Sequence, residues 1–173
     1  MTIHSGRSAT CTSALANHYR LKRLYLSRIG IMQLRTAATS DLVSIEALLR
    51  ASDLPVAGVA EHLSNFIVAV DDRSVIACGG IEYHGNFALI RSIAVAAQAR
   101  GGGLGKTIVS RLLAECRSRA VEAVALRTTT AERYFARQGF VRITLGDVPG
   151  PLLSSGQFAG VCPASAAIML KVI

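Results

Sequence analysis

The run Arg100-Gly101-Gly102-Gly103-Leu104-Gly105-Lys106 constrains this chain more than any other stretch, with four glycines in the five positions 101–105. A merely flexible connection would lose backbone entropy at each glycine and would leave the ordered pattern that follows unexplained. Upstream, Phe87 to Ala97 is apolar enough to be a long strand in the centre of a sheet. Downstream, Thr107 to Cys116 carries apolar residues at helical spacing. Glycines at the start of a helix turn successive backbone N–H groups inward, and the positive helix end adds to them, so the loop is built for an anion. A phosphate group is the obvious guest.

Spacing separates the known phosphate loops. A nucleotide P-loop, G-x-x-x-x-G-K-[ST], fits Gly105-Lys106-Thr107 but needs glycine where Arg100 stands, and no strand ending in Asp follows to hold magnesium. The dinucleotide pattern G-x-G-x-x-G fails at Lys106. A third pattern, [RQ]-x-x-G-x-[GA], is met in full by Arg100, Gly103 and Gly105.

The rest of the chain reads as one domain. Its 173 residues are 51% hydrophobic and 17% charged, enough to bury roughly two thirds of the unfolded surface without disulfides or a structural metal. No apolar run approaches the roughly 20 residues of a membrane helix. The net charge of +8 is uneven: residues 1–31 hold five basic residues and no acid, leaving 14 basic and 11 acidic, a net of +3, for residues 32–173. The domain is therefore only mildly basic, which argues against a nucleic-acid partner. The first 31 residues, rich in Ser, Thr and Arg, have the bias of a transit peptide. An upstream extension or an over-long start is the plainer reading, since regular patterning begins at Met32, and the expected location is cytoplasmic. Cys11, Cys78, Cys116 and Cys162 form no metal-ligand spacing, so no metal is expected and the thiols are packing residues.

From Met32 the pattern gives a short strand, then a helix started by Ser40 and Asp41 with Leu42, Ile45, Leu48 and Leu49 on one face. A second, shorter helix is expected over Val56 to Leu63. A hairpin follows, Phe66 to Val70 and Ser74 to Glu82 around Asp71-Asp72-Arg73, and then the long strand after Gly85-Asn86. After the loop helix come a strand over 122–126, a helix over 129–138 closed by Gly139, a short strand over 140–144, a Pro- and Gly-punctuated excursion over 147–161, and a final strand over 165–173.

The phosphate pattern, the strand Ser92-Ile-Ala-Val-Ala before it, and Tyr134-Phe-Ala-Arg-Gln-Gly-Phe140 after it together resemble the GNAT superfamily of N-acetyltransferases over about residues 32–173. The resemblance implies an α+β (α/β) fold with a central mixed, mostly antiparallel twisted sheet of about seven strands flanked by about four helices. It also implies acetyl-CoA as cosubstrate, direct transfer to an amine, and a homodimer. Within that superfamily Ala77-Cys-Gly-Gly-Ile-Glu82, the segment from Leu126 to Phe140, and Gln157-Phe with Cys162-Pro-Ala-Ser-Ala are most similar to the arsenic-resistance N-acetyltransferases. They are more distantly similar to the acetyltransferase domain of N-acetylglutamate synthase. Both imply a small amino acid or amino-acid-like acceptor.

The resemblance assigns the pantetheine arm to the backbone of Ile93, Ala94 and Val95, with the Val95 N–H on the thioester carbonyl. It assigns the pyrophosphate to Arg100, Gly101, Gly102, Gly103, Leu104, Gly105 and Lys106. Glu82, at the end of a strand leading into the site, is the candidate base or amine ligand. Cys78, Arg91, Thr128 and Ser165 are candidate acceptor contacts, Arg91 because a buried guanidinium needs either an acid of the protein or the acceptor's carboxylate. Thr128 can equally cap the late helix. Tyr83 and His84 are expected to point to other faces. The family's leaving-group tyrosine falls on Phe135, a cofactor contact that cannot donate a proton. Tyr134, one helical step of about 100° away, is expected to face elsewhere. A CoA-binding module without transfer activity is therefore the alternative function.

Overall fold

A carbonyl given away to a distant side chain decides the first departure from the expected element order. The computed structural model describes residues 32–173; the basic segment 1–31, and every expectation placed on it, lies outside these residues. Strand β1 (Gln33–Thr36) leads to helix α1 (Leu42–Arg50). Asp41 fixes that corner: its carboxylate accepts the Ala38 N–H at 2.7 Å and the Arg35 guanidinium at 2.6 and 3.0 Å. Ile45, Leu48 and Leu49 then bury one helical face. The second helix expected over 56–63 is a series of turns ending in a 3₁₀ turn at Leu63–Asn65. The Ala57 carbonyl, which a helix would use internally, accepts from Arg91 instead, and Gly58 sits at φ +77° against that same guanidinium.

Strands β2 (Phe66–Asp71) and β3 (Ser74–His84) form the expected hairpin, its turn made by Asp72 and Arg73 at φ 45° and 70°. Strand β4 (Phe87–Val95) follows Gly85, and helix α2 (Leu104–Ser118) follows the glycine loop. Then come β5 (Ala123–Thr128), α3 (Glu132–Ala136), β6 (Val141–Ile143) and β7 (Ala167–Val172), with 3₁₀ and π turns across the excursion between β6 and β7. Helix α3 starts three residues later than its pattern suggests, because Thr128 Oγ1 accepts the Ala131 N–H at 3.0 Å and holds the preceding residues in a turn. The sheet order is β1-β2-β3-β4-β5-β7-β6, with β4 and β5 parallel and every other pair antiparallel. The seven-stranded mixed sheet is as expected; of the flanking helices, three are α-helices among the described residues.

One face of the sheet is covered by α2, whose Leu104, Ile108, Val109, Leu112, Leu113 and Cys116 pack on Ile81, Ile90, Val124 and Leu126. A glycine in mid-strand makes the approach close enough: a Cβ on Gly79 would stand 2.7 Å from Ile108, while on the opposite face one on Gly80 would overlap the Phe66 ring. The other face carries two separate apolar clusters. One is α1 on Phe66, Val68, Cys78 and Ala94, and the other is the excursion's Val148 and Leu152 on Leu89 and Ala125.

The sheet splits at its parallel pair. Strands β4 and β5 are in register only from Phe87 opposite Ala123 to Ile90 opposite Leu126. Ser92 takes φ +57°, a left-handed value uncommon for a residue with a side chain, and the β3–β4 register shifts between Cys78 and Gly80. This bulge bends β4 away, so from Arg91 onward its edge toward β5 has no strand partner among the described residues.

Candidate active site

The freed edge of β4 and the glycine loop face the same opening. The Ala96 N–H bonds the Ile76 carbonyl across the antiparallel pair, so the N–H and carbonyl of Val95, one residue back, point the other way, into the split. The Val95 carbonyl confirms that direction by accepting from Arg100 Nε at 3.0 Å. By the same alternation Ile93 faces the split, whereas the backbone of Ala94 faces β3. Arg100, expected on the pyrophosphate, thus ties the loop's entry to β4.

At the loop, Gly101 and Gly103 take φ +84° and +81°, and a Cβ on either would meet nothing within 4 Å. The N–H groups of Gly101, Gly102 and Gly103 bond no backbone carbonyl among the described residues, and the first turn of α2 from Leu104 adds N–H groups that a helix start leaves free. The Leu104 side chain is buried and Lys106 is exposed beside the loop. An open fan of donors at the positive end of a 15-residue helix fits a pyrophosphate.

The two late aromatics exchange their expected places. Phe135 lies in the core, 6% exposed and edge-on to Phe140 with centroids 5.7 Å apart, rather than on the cofactor surface. Tyr134 points toward the loop, its hydroxyl 3.8 Å from where a Cβ on Gly105 would stand. That hydroxyl is buried without a hydrogen-bond partner among the described residues, and burial holds its pKa above the ordinary tyrosine value.

Between the two apolar clusters of the opposite face runs a strip of polar side chains centred on Glu82. It is 2% exposed and paired with Arg91, itself 6% exposed, whose other nitrogen reaches the Ala57 carbonyl. Arg91 thus takes the first of its two expected partners, an acid of the protein. Ser155 Oγ donates to Glu82 Oε2 at 2.6 Å, and His84 Nε2 and His62 Nε2 stand 3.5 and 3.9 Å from its oxygens. Burial pushes the Glu82 pKa up, but the Ser155 hydrogen bond and the Arg91 charge outweigh it and hold the carboxyl below its ordinary value. Glu82 is therefore a saturated carboxylate, not the free base expected.

His84 shares the Glu82 face, two residues along the strand, against the expectation that it points elsewhere; the alternation of strand side chains carries that signal. Its Nδ1 is 3.1 Å from Ser154 Oγ. Tyr83, on the opposite face, lies under the Arg119 guanidinium at 4.5 Å. Ser155, Gln157 and Arg127 were not anticipated. Arg127 donates to the Gln157 and Pro163 carbonyls at 2.6 and 2.8 Å, and Cys162 Sγ donates to Gln157 Oε1 at 2.7 Å. These contacts pin the excursion over the end of β5; the only sequence signal for them was the Gln157-to-Ala166 resemblance. His62 had no functional signal, since the helix expected over 56–63 gave it no role and no motif includes it.

The remaining candidates disperse. Cys78 is fully buried, its thiol donates to the Ser92 carbonyl at 3.5 Å, and burial pushes its pKa up to about 12, which suits packing at the bulge and not nucleophilic attack. Thr128 is a cap. Ser165 is exposed in the turn before β7. No group of three or more His, Cys, Asp or Glu able to hold a metal ion occurs among the described residues, and no helix among them is long and apolar enough to cross a membrane.

Residues 62–142, from His62 through the glycine loop to β6, match the family described as acetyltransferase (GNAT) domain. None of the curated proteins matches the chain. Among solved structures, Rv2747 from Mycobacterium tuberculosis in complex with CoA and NLQ is 24% identical, with a TM-score of 0.68 over 82% of this chain and 99% of that one. N-acetylglutamate synthase from Neisseria gonorrhoeae complexed with coenzyme A and N-acetyl-glutamate is 19% identical, with a TM-score of 0.71 over 82% of this chain and 35% of that longer one. The PaiA N-acetyltransferase from Thermoplasma acidophilum in complex with coenzyme A is 14% identical, with a TM-score of 0.62 over 82% of this chain and 98% of that one. These likenesses give the chain the fold of the GNAT acetyltransferases, and the family match over residues 62–142 takes in the strands and loop that build the split.

Proposed function

We propose that the chain transfers the acetyl group of acetyl-CoA directly to the amine of a small amino acid or amino-acid-like compound. The observation that carries this reading is the polar strip around Glu82 and Arg91, which lies at the point where β4 leaves β5 and between two apolar clusters. A small polar amine can enter there and meet a thioester laid along the freed edge of β4. Acetyl-CoA supplies the activated acetyl group, and the chain's own residues do the rest. The loop N–H groups from Gly101 to Gly105, with Lys106 at the rim, hold the pyrophosphate. The Ile93 and Val95 backbone holds the arm, and the Val95 N–H faces the oxygen that gains charge as the amine attacks. The Tyr134 hydroxyl, buried and unpartnered beside Gly105, is the donor for the departing thiolate.

The amino-acid class is supported by the N-acetyl-glutamate-bound synthase among the structural likenesses and by the Ala77–Glu82 and Gln157–Ala166 strings. Those strings also favour a toxic amino-acid analogue, such as an arsenic-bearing one, as the natural acceptor. With Arg91 committed to Glu82, an acceptor carboxylate needs other partners, which separates this site from one made for glutamate. The test is acetyl-CoA-dependent thiol release across amino acids and their phosphorus- or arsenic-bearing analogues. Release stimulated by one of them and lost in Gly103→Glu is the expected result; acetyl-CoA binding without stimulated release by any would favour a binding module.

A further inference from the structure

We propose that His62 is the proton acceptor for the incoming amine and that Glu82 is the residue that positions it. The inference rests on the transfer reaction proposed above. An amine arrives protonated at neutral pH and must lose a proton before its lone pair can attack, so the site needs a group that is reachable, basic and adjacent to the polar strip. Three groups border the strip with that chemistry, and two are spent. Glu82 is 3% exposed at its side chain, with Oε1 taken by Arg91 and Oε2 by Ser155. His84 is 17% exposed, with Nδ1 at 3.1 Å from Ser154 Oγ and Nε2 turned to Glu82 at 3.5 Å. His62 is 33% exposed, and among the described residues its only ionisable contact is Nε2 to Glu82 Oε1 at 3.9 Å.

The arrangement gives His62 both properties a base needs. Imidazole is the side chain that ordinarily changes charge between pH 5 and 8. A neighbouring carboxylate orients the ring, and here that carboxylate is fixed by Arg91 and Ser155. Glu82 on β3 faces His62 directly, and His84 on β3 and Arg91 on β4 meet that same carboxylate; Glu61, beside His62 in the chain, places its carboxylate next to Gly58. The backbone N–H of His62 bonds the Gly58 carbonyl at 3.3 Å, so the ring is carried on a turn anchored by Arg91 itself.

The step balances as follows. The ammonium gives one proton to the His62 imidazole, and the freed nitrogen lone pair forms the C–N bond to the thioester carbonyl. The C–S bond breaks, its electron pair leaves on sulfur, and the second amine proton ends on the thiolate. The imidazolium returns its proton to water, so acetyl-CoA and an ammonium give an amide, a thiol and one proton.

The experiment is the pH dependence of kcat/KM for wild type, His62→Gln and His62→Ala, with the best acceptor amine found, together with acetyl-CoA affinity by calorimetry. The expected result is a loss of about 100-fold or more in kcat/KM for both variants, the size typical of a removed general base. The rising acid limb of the profile disappears, acetyl-CoA binding is kept, and added imidazole restores part of the rate of His62→Ala. A His62→Gln enzyme that keeps the wild-type rate and the same acid limb overturns this inference alone. A wild-type chain that binds acetyl-CoA yet turns over no amine overturns the proposed function, and this inference with it.

Discussion

The two sides of the β4–β5 split are built from different material. The glycine loop is backbone: a fan of N–H groups, no side chain in the way, and a helix behind it. The polar strip is side chain: a buried carboxylate, a buried guanidinium, two histidines and a serine brought together from β3, β4 and the segments of His62 and Ser155, the latter 73 residues from Glu82. A backbone site needs only conformational freedom and tolerates change in all but its glycines. A side-chain site needs every partner present at once, because each member is the reason another can be buried. Substitutions should therefore break the loop by losing ligand and break the strip by losing fold.

The largest effect expected follows from that difference. Glu82→Ala leaves the Arg91 guanidinium 6% exposed without its counter-charge, which should cost about 3–5 kcal/mol of stability in chemical denaturation. Replacing both partners together, Glu82→Leu with Arg91→Met, should recover most of the loss, since the pair's own net contribution is small once desolvation is counted. If Glu82→Ala is as stable as wild type, the strip is not interdependent and the contrast with the loop fails. The next effect belongs to the loop. Gly103→Glu puts a side chain at φ +81° and a negative charge among donors meant for a pyrophosphate, so acetyl-CoA affinity should fall about 100-fold, near 2.7 kcal/mol. Calorimetric titration reads this directly, and an unchanged affinity would move the pyrophosphate elsewhere.

The same contrast explains what could be read from the sequence. The loop was legible because glycine spacing is local: Arg100, Gly103 and Gly105 sit within six residues, and the strand before and helix after them carry clear periodicity. The hairpin, α1, α2 and the Gly139 helix stop were legible for the same reason. The turns over 56–63 were not, because their competitor is Arg91, 34 residues from the Ala57 carbonyl it takes. His62 and Ser155 reach Glu82 only through the tertiary fold, and no pattern in one sequence places them together. Phe135 and Tyr134 were misread because spacing to Gly139 does not say which of two neighbouring rings packs on Phe140 and which turns toward Gly105.

The exchanged places of the two rings supply a smaller test. If Tyr134 serves the departing thiolate, Tyr134→Phe should lower kcat by about tenfold, the worth of one hydrogen bond of about 1.4 kcal/mol made in the transition state. Acetyl-CoA affinity should barely change, because the hydroxyl is not among the loop donors. A kcat unchanged by the substitution would leave the thiolate to depart with backbone or solvent help alone.

The smallest effect lies in the acid limb of stability, and it separates the strip from the rest of the sheet. Glu82 is held below its ordinary pKa by the Ser155 hydrogen bond and Arg91 against the push of burial, and Asp41 is held down chiefly by its bond to Arg35. A carboxylate depressed in the folded state contributes stability that is complete above its unfolded value, about 4, and is lost as pH falls through the folded value. The melting temperature should therefore be flat near neutrality and decline below about pH 4, where the unfolded chain takes up protons that the folded one resists. Glu82→Gln should melt lower at neutral pH yet decline less steeply in acid, with Asp41 supplying the slope that remains. Parallel declines for the variant and the wild type would mean that Glu82 is not depressed in the fold. In that case the Arg91 and Ser155 contacts do not hold it ionised, and a carboxylate free to take a proton would return as a rival to His62.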